Sequence, residues 1–415
     1  MENEARRAVA DTYQREWARV LAATIRTARD LDLAEEAVQD AFAEALTTWE
    51  RDGVPKNPGA WLTTAAKRRA LDSLRRASTY RMKLQLLVEP EHREGDDAEL
   101  VTVDTGGGDV VADDTMRLVF MCCHPSLSSE AQMALTLRLV CGMTTTDIAR
   151  CFLVSESTMS ARLTRAKKKI SIARIPFQVP GPADLPGRLG AVLGVIYLLF
   201  TIGHTAPTGE ELMKKETVGE ALRLALLLHE LVPERAEVDG LLALLLVNDA
   251  RQASRLSVDG RSQRISEQDR SAWDHAAILE ARELIAGHVQ AEHPDQYTLQ
   301  TSIALLHAEA PTYDEVDWRE IVRLYDQLLL AWPSPVVQLN RAVALAKTRG
   351  PQAALDVVVG LEDDGQLNRY QYLPAVKAYL LDQLGRSDEA HAARTRAFEL
   401  AANEVERDFI LRQND

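Results

Sequence analysis

Two sets of side chains in this 415-residue chain have the types and spacing needed to hold nucleic acid. The first lies between Trp61 and Arg76. Plotted at 100° per residue, Trp61, Thr64, Arg68, Asp72 and Arg75 fall on one side of a helix, with Leu62, Ala66, Ala70 and Leu74 on the other. An aromatic ring offers a surface on which a base can stack, and guanidinium groups follow the phosphates, so this face suits single-stranded DNA. Lys67 and Arg76 are counted with it. General surface charge would account for the arginines equally well. The second set lies between Thr144 and Ile170. Met159, Leu163, Ala166 and Ile170 cluster in a narrow apolar stripe, and Ser157, Ser160, Ala161, Thr164 and Lys168 occupy the opposite face, with Thr158 beside them. Small side chains permit close approach to a groove, and hydroxyls can bond base edges or phosphate. Arg162, Arg165, Lys167 and Lys169 flank that face and suit phosphates, where they add affinity and orientation but no sequence choice.

The elements that would position these residues are helices. Thr144 or Thr145 caps a helix ending near Phe152, Ser155 sits in a turn, and a second helix runs from Ser157 through Ile170. That is a helix-turn-helix whose second member enters the major groove by its N-terminal end. A dimeric repressor or a response regulator could use the same element. Two further helices, Asp114 to His124 and Ser129 to Cys141, lead into it. Nearer the N-terminus, Leu33 to Trp49 has Ala34, Val38, Ala41, Ala45 and Trp49 at helical spacing, with Glu35, Glu36, Gln39 and Asp40 on its other side.

Composition supports an all-α fold: 46% of residues are hydrophobic but only 5% aromatic, and long stretches are rich in Ala, Leu, Glu and Arg. The length predicts two or three domains. Net charge is −14, which taken alone argues against a nucleic-acid binder. Counted by segment, the sign reverses. Residues 1–87 carry 15 Lys and Arg against 13 Asp and Glu, and residues 115–175 carry 9 against 3, whereas residues 176–415 carry 23 against 36. Between the basic segments, residues 88–114 hold ten acidic residues, one basic residue and the run Gly106-Gly107-Gly108. They read as a flexible linker, or as an acidic strand that threads a basic channel of a larger enzyme. A second boundary is expected at the prolines between Ile175 and Pro182, so the expected domains are 1–87, 115–175 and 176–415.

The last of these is expected to be a helical array. LNRAVALAKTRGPQAALDVV and AVKAYLLDQLGRSDEAHAARTRAF form a repeat whose Gly350 and Gly385 are 35 residues apart, near the tetratricopeptide period, with Ala354 and Ala390 at close-packing positions. Such arrays offer concave surfaces for protein partners; a plain helical bundle is the other reading. The four cysteines lack zinc-ligand spacing and read as reduced core thiols, so neither a metal nor a cofactor is expected. No nucleophile, acid–base pair or phosphate loop points to an enzyme. Met1 to Arg29 is charged throughout and reads as no signal sequence, and the apolar run Leu189 to Phe200 is short for a membrane span, so a cytoplasmic protein without a membrane partner is expected.

NPGAWLTTAAKRRALDSLRR, CCHPSLSSEAQMALTLRLV and SPVVQLNRAVALA together resemble extracytoplasmic-function (sigma-24-like) RNA polymerase sigma factors of the group with a long tetratricopeptide-like C-terminal extension. The resemblance implies a sigma region 2 that binds core polymerase and the minus-ten element, a sigma region 4 that binds the minus-thirty-five element, and a C-terminal regulatory or interaction domain. Glu36, Gln39 and Asp40 match the positions that dock on the clamp helices of the β′ subunit. Core polymerase (β′ clamp helices and β flap), promoter DNA and a small DGPF-type protein are the implied partners. Related sigma factors often carry Asn where Arg68 stands, and TIGHTAPTGEEL replaces a segment that more often reads NEGY. A signalling adaptor whose sigma-like half does not initiate transcription is the alternative.

Overall fold

The structure, a computed structural model, describes residues 2–87, 109–152, 154–181, 183–205, 213–257, 259 and 261–411. Among them are eighteen α-helices and no strand beyond a single bridge between Leu256 and Ser262. The all-α expectation holds. The acidic segment read as a linker lies outside the described residues as far as Gly108.

The chain divides into two compact units, residues 1–195 and 196–415. The division therefore falls inside a helix and not at the prolines read as a boundary. Those prolines follow the end of one helix, and the next begins at Pro186 and continues to His204.

The first unit opens with α1 (Glu2–Ala28), α2 (Leu31–Asp52) and α3 (Pro58–Leu87), which pack on one another pairwise. Asp30 caps α2 by accepting from the Leu33 N–H at 2.9 Å. The stripe Ala34, Val38, Ala41, Ala45 and Trp49 is the buried one, as its spacing predicts. In α3 the same holds for Leu62, Ala66 and Ala70, each without exposed surface. Alanines along both stripes let the helix axes approach closely.

Next come α4 (Asp109–Cys122), α5 (Ser129–Leu139), α6 (Thr145–Cys151), α7 (Glu156–Ile172) and α8 (Pro186–His204). Helix α4 takes up the last residues of the stretch read as a linker, and Asp114 is buried. Thr144 caps α6 and Ser155 caps α7, accepting from the Asp147 and Thr158 N–H groups at 3.1 and 3.2 Å. The 19-residue α8 extends the apolar run beyond its ends and is long and apolar enough to cross a membrane, which corrects the reading of that run as too short. Half of its apolar window is buried, as in a core helix.

In the second unit α9 (Lys215–Leu231), α11 (His275–Ile285) and α12 (Gln296–Glu309) pack around α10 (Ala236–Asp249). From there α13 (Trp318–Ala331), α14 (Pro335–Arg349), α15 (Pro351–Asp364), α16 (Tyr372–Gln383), α17 (Ser387–Leu400) and α18 (Glu404–Leu411) each pack on the helix before. Gly350 and Gly385, at φ 87° and 71°, turn the chain between the helices of two successive hairpins, a backbone conformation that glycine adopts without strain. Ala354 and Ala390 are fully buried in the shared core with Leu339, Val358 and Leu380.

Candidate nucleic-acid interface

Helix α7 separates its two faces cleanly. Met159, Leu163, Ala166 and Ile170 are buried, whereas Ser157, Thr158, Ser160, Ala161, Thr164, Arg165, Lys168 and Lys169 are exposed. Ser155 Oγ, which caps the helix, also lies 3.0 Å from Ser157 Oγ and 2.8 Å from Thr158 Oγ1, so the hydroxyls at the leading end are held as a group. Arg162 departs from the rest. It pairs with Glu130 at 2.9 Å and covers the Phe152 ring at 5.6 Å, so it braces α7 against α5 and α6.

On α3, Thr64, Arg68, Arg75 and Arg76 are exposed. Arg75 pairs with Asp72 at 3.4 Å, and Arg76 donates to the Asp72 carbonyl at 3.3 Å. Trp61 is half-buried, its ring edge-on to Trp49 at 5.7 Å, which fixes its orientation while leaving part of the ring accessible. Lys67 is half-buried instead of standing on the open face. Burial lowers its pKa first, the nearby Arg26 lowers it further, and Asp114 opposes both.

The acidic face of α2 divides in two. Glu36, Gln39 and Asp40 are exposed; Gln39 donates to Glu35 at 3.3 Å, and Asp40 lies 3.5 Å from Arg69, which pairs more closely with Glu44 at 2.7 Å. Glu35 turns inward and is 5% exposed. It accepts from Arg138 of α5 at 3.1 Å and from Lys167 of α7, which also lies 3.6 Å from Asp32. Lys167, read from the sequence as a phosphate contact, is thus committed to a carboxylate within the unit.

Glu35 belongs to a seam that joins the first three helices to α4, α5 and α7. Trp17 donates through its indole N–H to the Leu139 carbonyl at 3.1 Å, and the Tyr13 hydroxyl donates to Gly142 at 3.2 Å. Gly142 has φ 63°, and a Cβ there would lie 3.0 Å from the Tyr13 ring, so both backbone and space require glycine. Asp114, 1% exposed, pairs with Arg26 at 3.2 Å and with Arg117 at 3.3 Å. Sequence reasoning missed this seam. The residue types gave one signal: Trp17 is uncommon in so charged a helix. The partners in α4, α5 and α7 are about a hundred residues away, beyond any local pattern.

Cys122 and Cys123 are buried, and burial pushes both thiols up, Cys123 to about 12. Neither is a thiolate at neutral pH, which fits core packing.

Residues 11–79 match Sigma-70 region 2 and residues 117–170 match Sigma-70, region 4. Those two matches contain the open faces of α3 and α7 and the exposed acidic face of α2, and they define the class as the sigma-70 type of transcription factor. Residues 188–288 match a family of unknown function, DUF6596. An uncharacterized protein of Rhizobium meliloti (strain 1021) is 41% identical over 397 residues, covering 95% of this chain and 92% of that protein. No solved structure matches. The chain belongs to the sigma-70 family, as a sigma factor like those of the extracytoplasmic-function kind, with a C-terminal helical extension.

Proposed function

We propose that this chain is an alternative sigma factor that directs promoter-specific initiation in the cytoplasm. Glu36, Gln39 and Asp40 dock on the β′ clamp helices, and the Trp61 to Arg76 face reads the opened minus-ten element. The α7 face from Ser157 to Lys169 reads the minus-thirty-five element. The observation that carries this reading is α7 itself: every hydroxyl and cation on its outer face is exposed over an uninterrupted buried stripe. The serine and threonine end gives base choice and the Arg165, Lys168 and Lys169 end gives phosphate contact.

The two reading elements are 25 base pairs apart by their names, about 85 Å at 3.4 Å per base pair. In this structure α7 touches α2 through Glu35 and Lys167. One molecule in this arrangement cannot span both elements, so engagement of polymerase and promoter has to part the seam.

The second unit, a tetratricopeptide-like array on this reading, supplies control. Its residues 196–415 carry 22 Lys and Arg against 35 Asp and Glu, a net −13 that is opposite in sign to the +6 of residues 115–175 and suits a control module. We favour an array that braces the initiating complex, with a small DGPF-type protein as a further partner.

Purified protein with core RNA polymerase in a run-off assay tests the reading. Promoter-dependent transcripts are expected, and Asp40→Lys with Gln39→Ala should weaken capture of core enzyme without unfolding the protein. Unchanged co-purification of that variant with core enzyme would overturn the docking assignment. Truncation after Arg174 should lower transcription under bracing. A rise would show masking instead.

A further inference from the structure

The second unit contains a group of cations that the chain does not neutralise. Arg255 and Arg270 have clear structural work. Arg255 donates to the His204 carbonyl and, at 3.2 Å, to Thr205 Oγ1, closing the C-terminal end of α8. Arg270 does the same for α12, donating to the His307 and Ala310 carbonyls at 2.6 and 2.8 Å. A guanidinium at that end of a helix meets the negative end of its dipole.

Arg251 has no such task. Its side chain makes no hydrogen bond or ion pair among the described residues, and its Nε is buried without a partner. It lies over the Trp273 ring at 5.7 Å, a ring that Arg270 also covers at 4.7 Å. Three more polar atoms nearby are buried and unpartnered: Arg270 Nη2, His204 Nδ1 and His307 Nδ1. Burial, then the neighbouring Arg255 and Arg251, pushes the His204 imidazole down to about 3. Burial, then Arg251 and Arg270, pushes His307 down to about 4. Both imidazoles are therefore neutral near pH 7. Burial, then Arg255 and Arg270, lowers Arg251 to about 10, so it keeps its charge. Two carboxylates belong to the surroundings: Asp249, two residues before Arg251, with a buried Oδ1 that has no hydrogen-bond partner, and Glu406. Glu406 acts on Arg255 and is itself bonded by Tyr372 and by Gln371 at 2.6 Å.

A buried charge without a partner is costly, and buried polar atoms without hydrogen bonds are rare. Three such atoms, beside the Nε of a guanidinium that makes no ion pair among the described residues, suit an anion with several acceptor oxygens. Guanidinium groups match the geometry of such an oxyanion, and a neutral imidazole can donate through Nδ1. More than one cation converges here, which favours a doubly charged phosphate over a single carboxylate.

We propose that Arg251, with Arg270, His204 and His307, forms a binding site for a phosphate-type oxyanion, carried by free phosphate or by a phosphorylated small molecule. Most of the site lies in the stretch that matches the family of unknown function, with His307 added from α12. It is independent of how the first unit reads DNA.

The test uses the full chain. Thermal unfolding and titration calorimetry are run with inorganic phosphate, with glycerol 3-phosphate, and with chloride at matched ionic strength. Both phosphates should bind and raise the melting temperature where chloride does not, and whichever binds more tightly identifies the source. Arg251→Met keeps the packing on Trp273 and should weaken phosphate binding at least tenfold. It should also melt no lower than the parent protein without phosphate, since it removes an uncompensated charge. Lys168→Ala with Lys169→Ala should leave phosphate binding unchanged, which separates this site from α7. Equal responses to phosphate and chloride would overturn the proposal, as would undiminished phosphate binding by Arg251→Met. If Arg251→Met does not fold, the comparison of phosphate with chloride on the parent protein decides alone.

Discussion

Buried charge is paired in both units, Asp239 of the second being bonded by His229 at 2.8 Å and His288 at 2.9 Å, but one cluster of the second unit lacks that balance. In the first, each buried acid is held by two cations: Glu35 by Arg138 and Lys167, and Asp114 by Arg26 and Arg117. In the second, Arg251 and two imidazoles share a buried region with no acid bonded to them among the described residues. Charges balanced within the chain hold its parts together, and they let go when one partner is drawn away. An imbalance of one sign is held ready for something outside the chain. We propose accordingly a seam that parts in the first unit and a place that an anion fills in the second.

The largest effect is expected from breaking the balance at Glu35. Glu35→Ala strands Arg138 and Lys167 and should lower the stability of the first unit by ~3–5 kcal/mol, measured by urea unfolding. Replacing all three together, Glu35→Leu with Arg138→Met and Lys167→Met, should restore most of that loss. A triple variant as unstable as the single one would show that the ion pairs are not what holds the seam.

Acid should act on the second unit. His204 and His307 have folded pKa values of about 3 and about 4, below the ordinary value near 6.5. The unfolded chain therefore takes up protons first. Their stabilisation is complete above about pH 6.5 and is lost as the pH falls toward 4 and then 3. Between pH 7 and 5 each histidine should cost ~2 kcal/mol, and His204→Phe with His307→Phe should flatten that part of the profile. A profile unchanged by the double substitution would mean that other groups set it.

A smaller loss is expected at Gly142, where alanine meets both a left-handed backbone and the Tyr13 ring. Gly142→Ala should cost ~1–2 kcal/mol in the first unit, read from its urea midpoint. On DNA, Lys169→Ala should lower the slope of log affinity against log salt by about one and weaken all promoters alike, while Ser160→Ala or Thr164→Ala should alter which minus-thirty-five sequence is preferred. A change of preference in Lys169→Ala would reverse the orientation assigned to α7.

Local pattern was enough for the helices and for which side of each is buried. The stripes of α2, α3 and α7 were legible because apolar residues at helical spacing have to face a core, and a capping residue such as Thr144 marks where a helix starts, while Ser155, read as a turn residue, caps α7. The exposed faces of α2, α3 and α7 follow as the remainder, and the resemblance to sigma factors rests on residues in those faces. Glu36 and Glu35 stand next to each other in sequence, both acidic, and no local rule separates them. Their fates differ because one points toward Arg138, 103 residues away, and the other toward solvent. Lys67 and Lys167 likewise have the composition of DNA contacts and are both drawn partly inward.

The sequence by itself therefore determined the helical class, the helix-turn-helix, the order of the modules and the sign of the charge on each. Those depend on spacing along one helix or on sums over a segment. Only the tertiary structure decided which charges are neutralised within the chain and which are not. A carboxylate becomes a seam residue, and Arg251 an unanswered cation, only once helices distant in sequence exclude water around them.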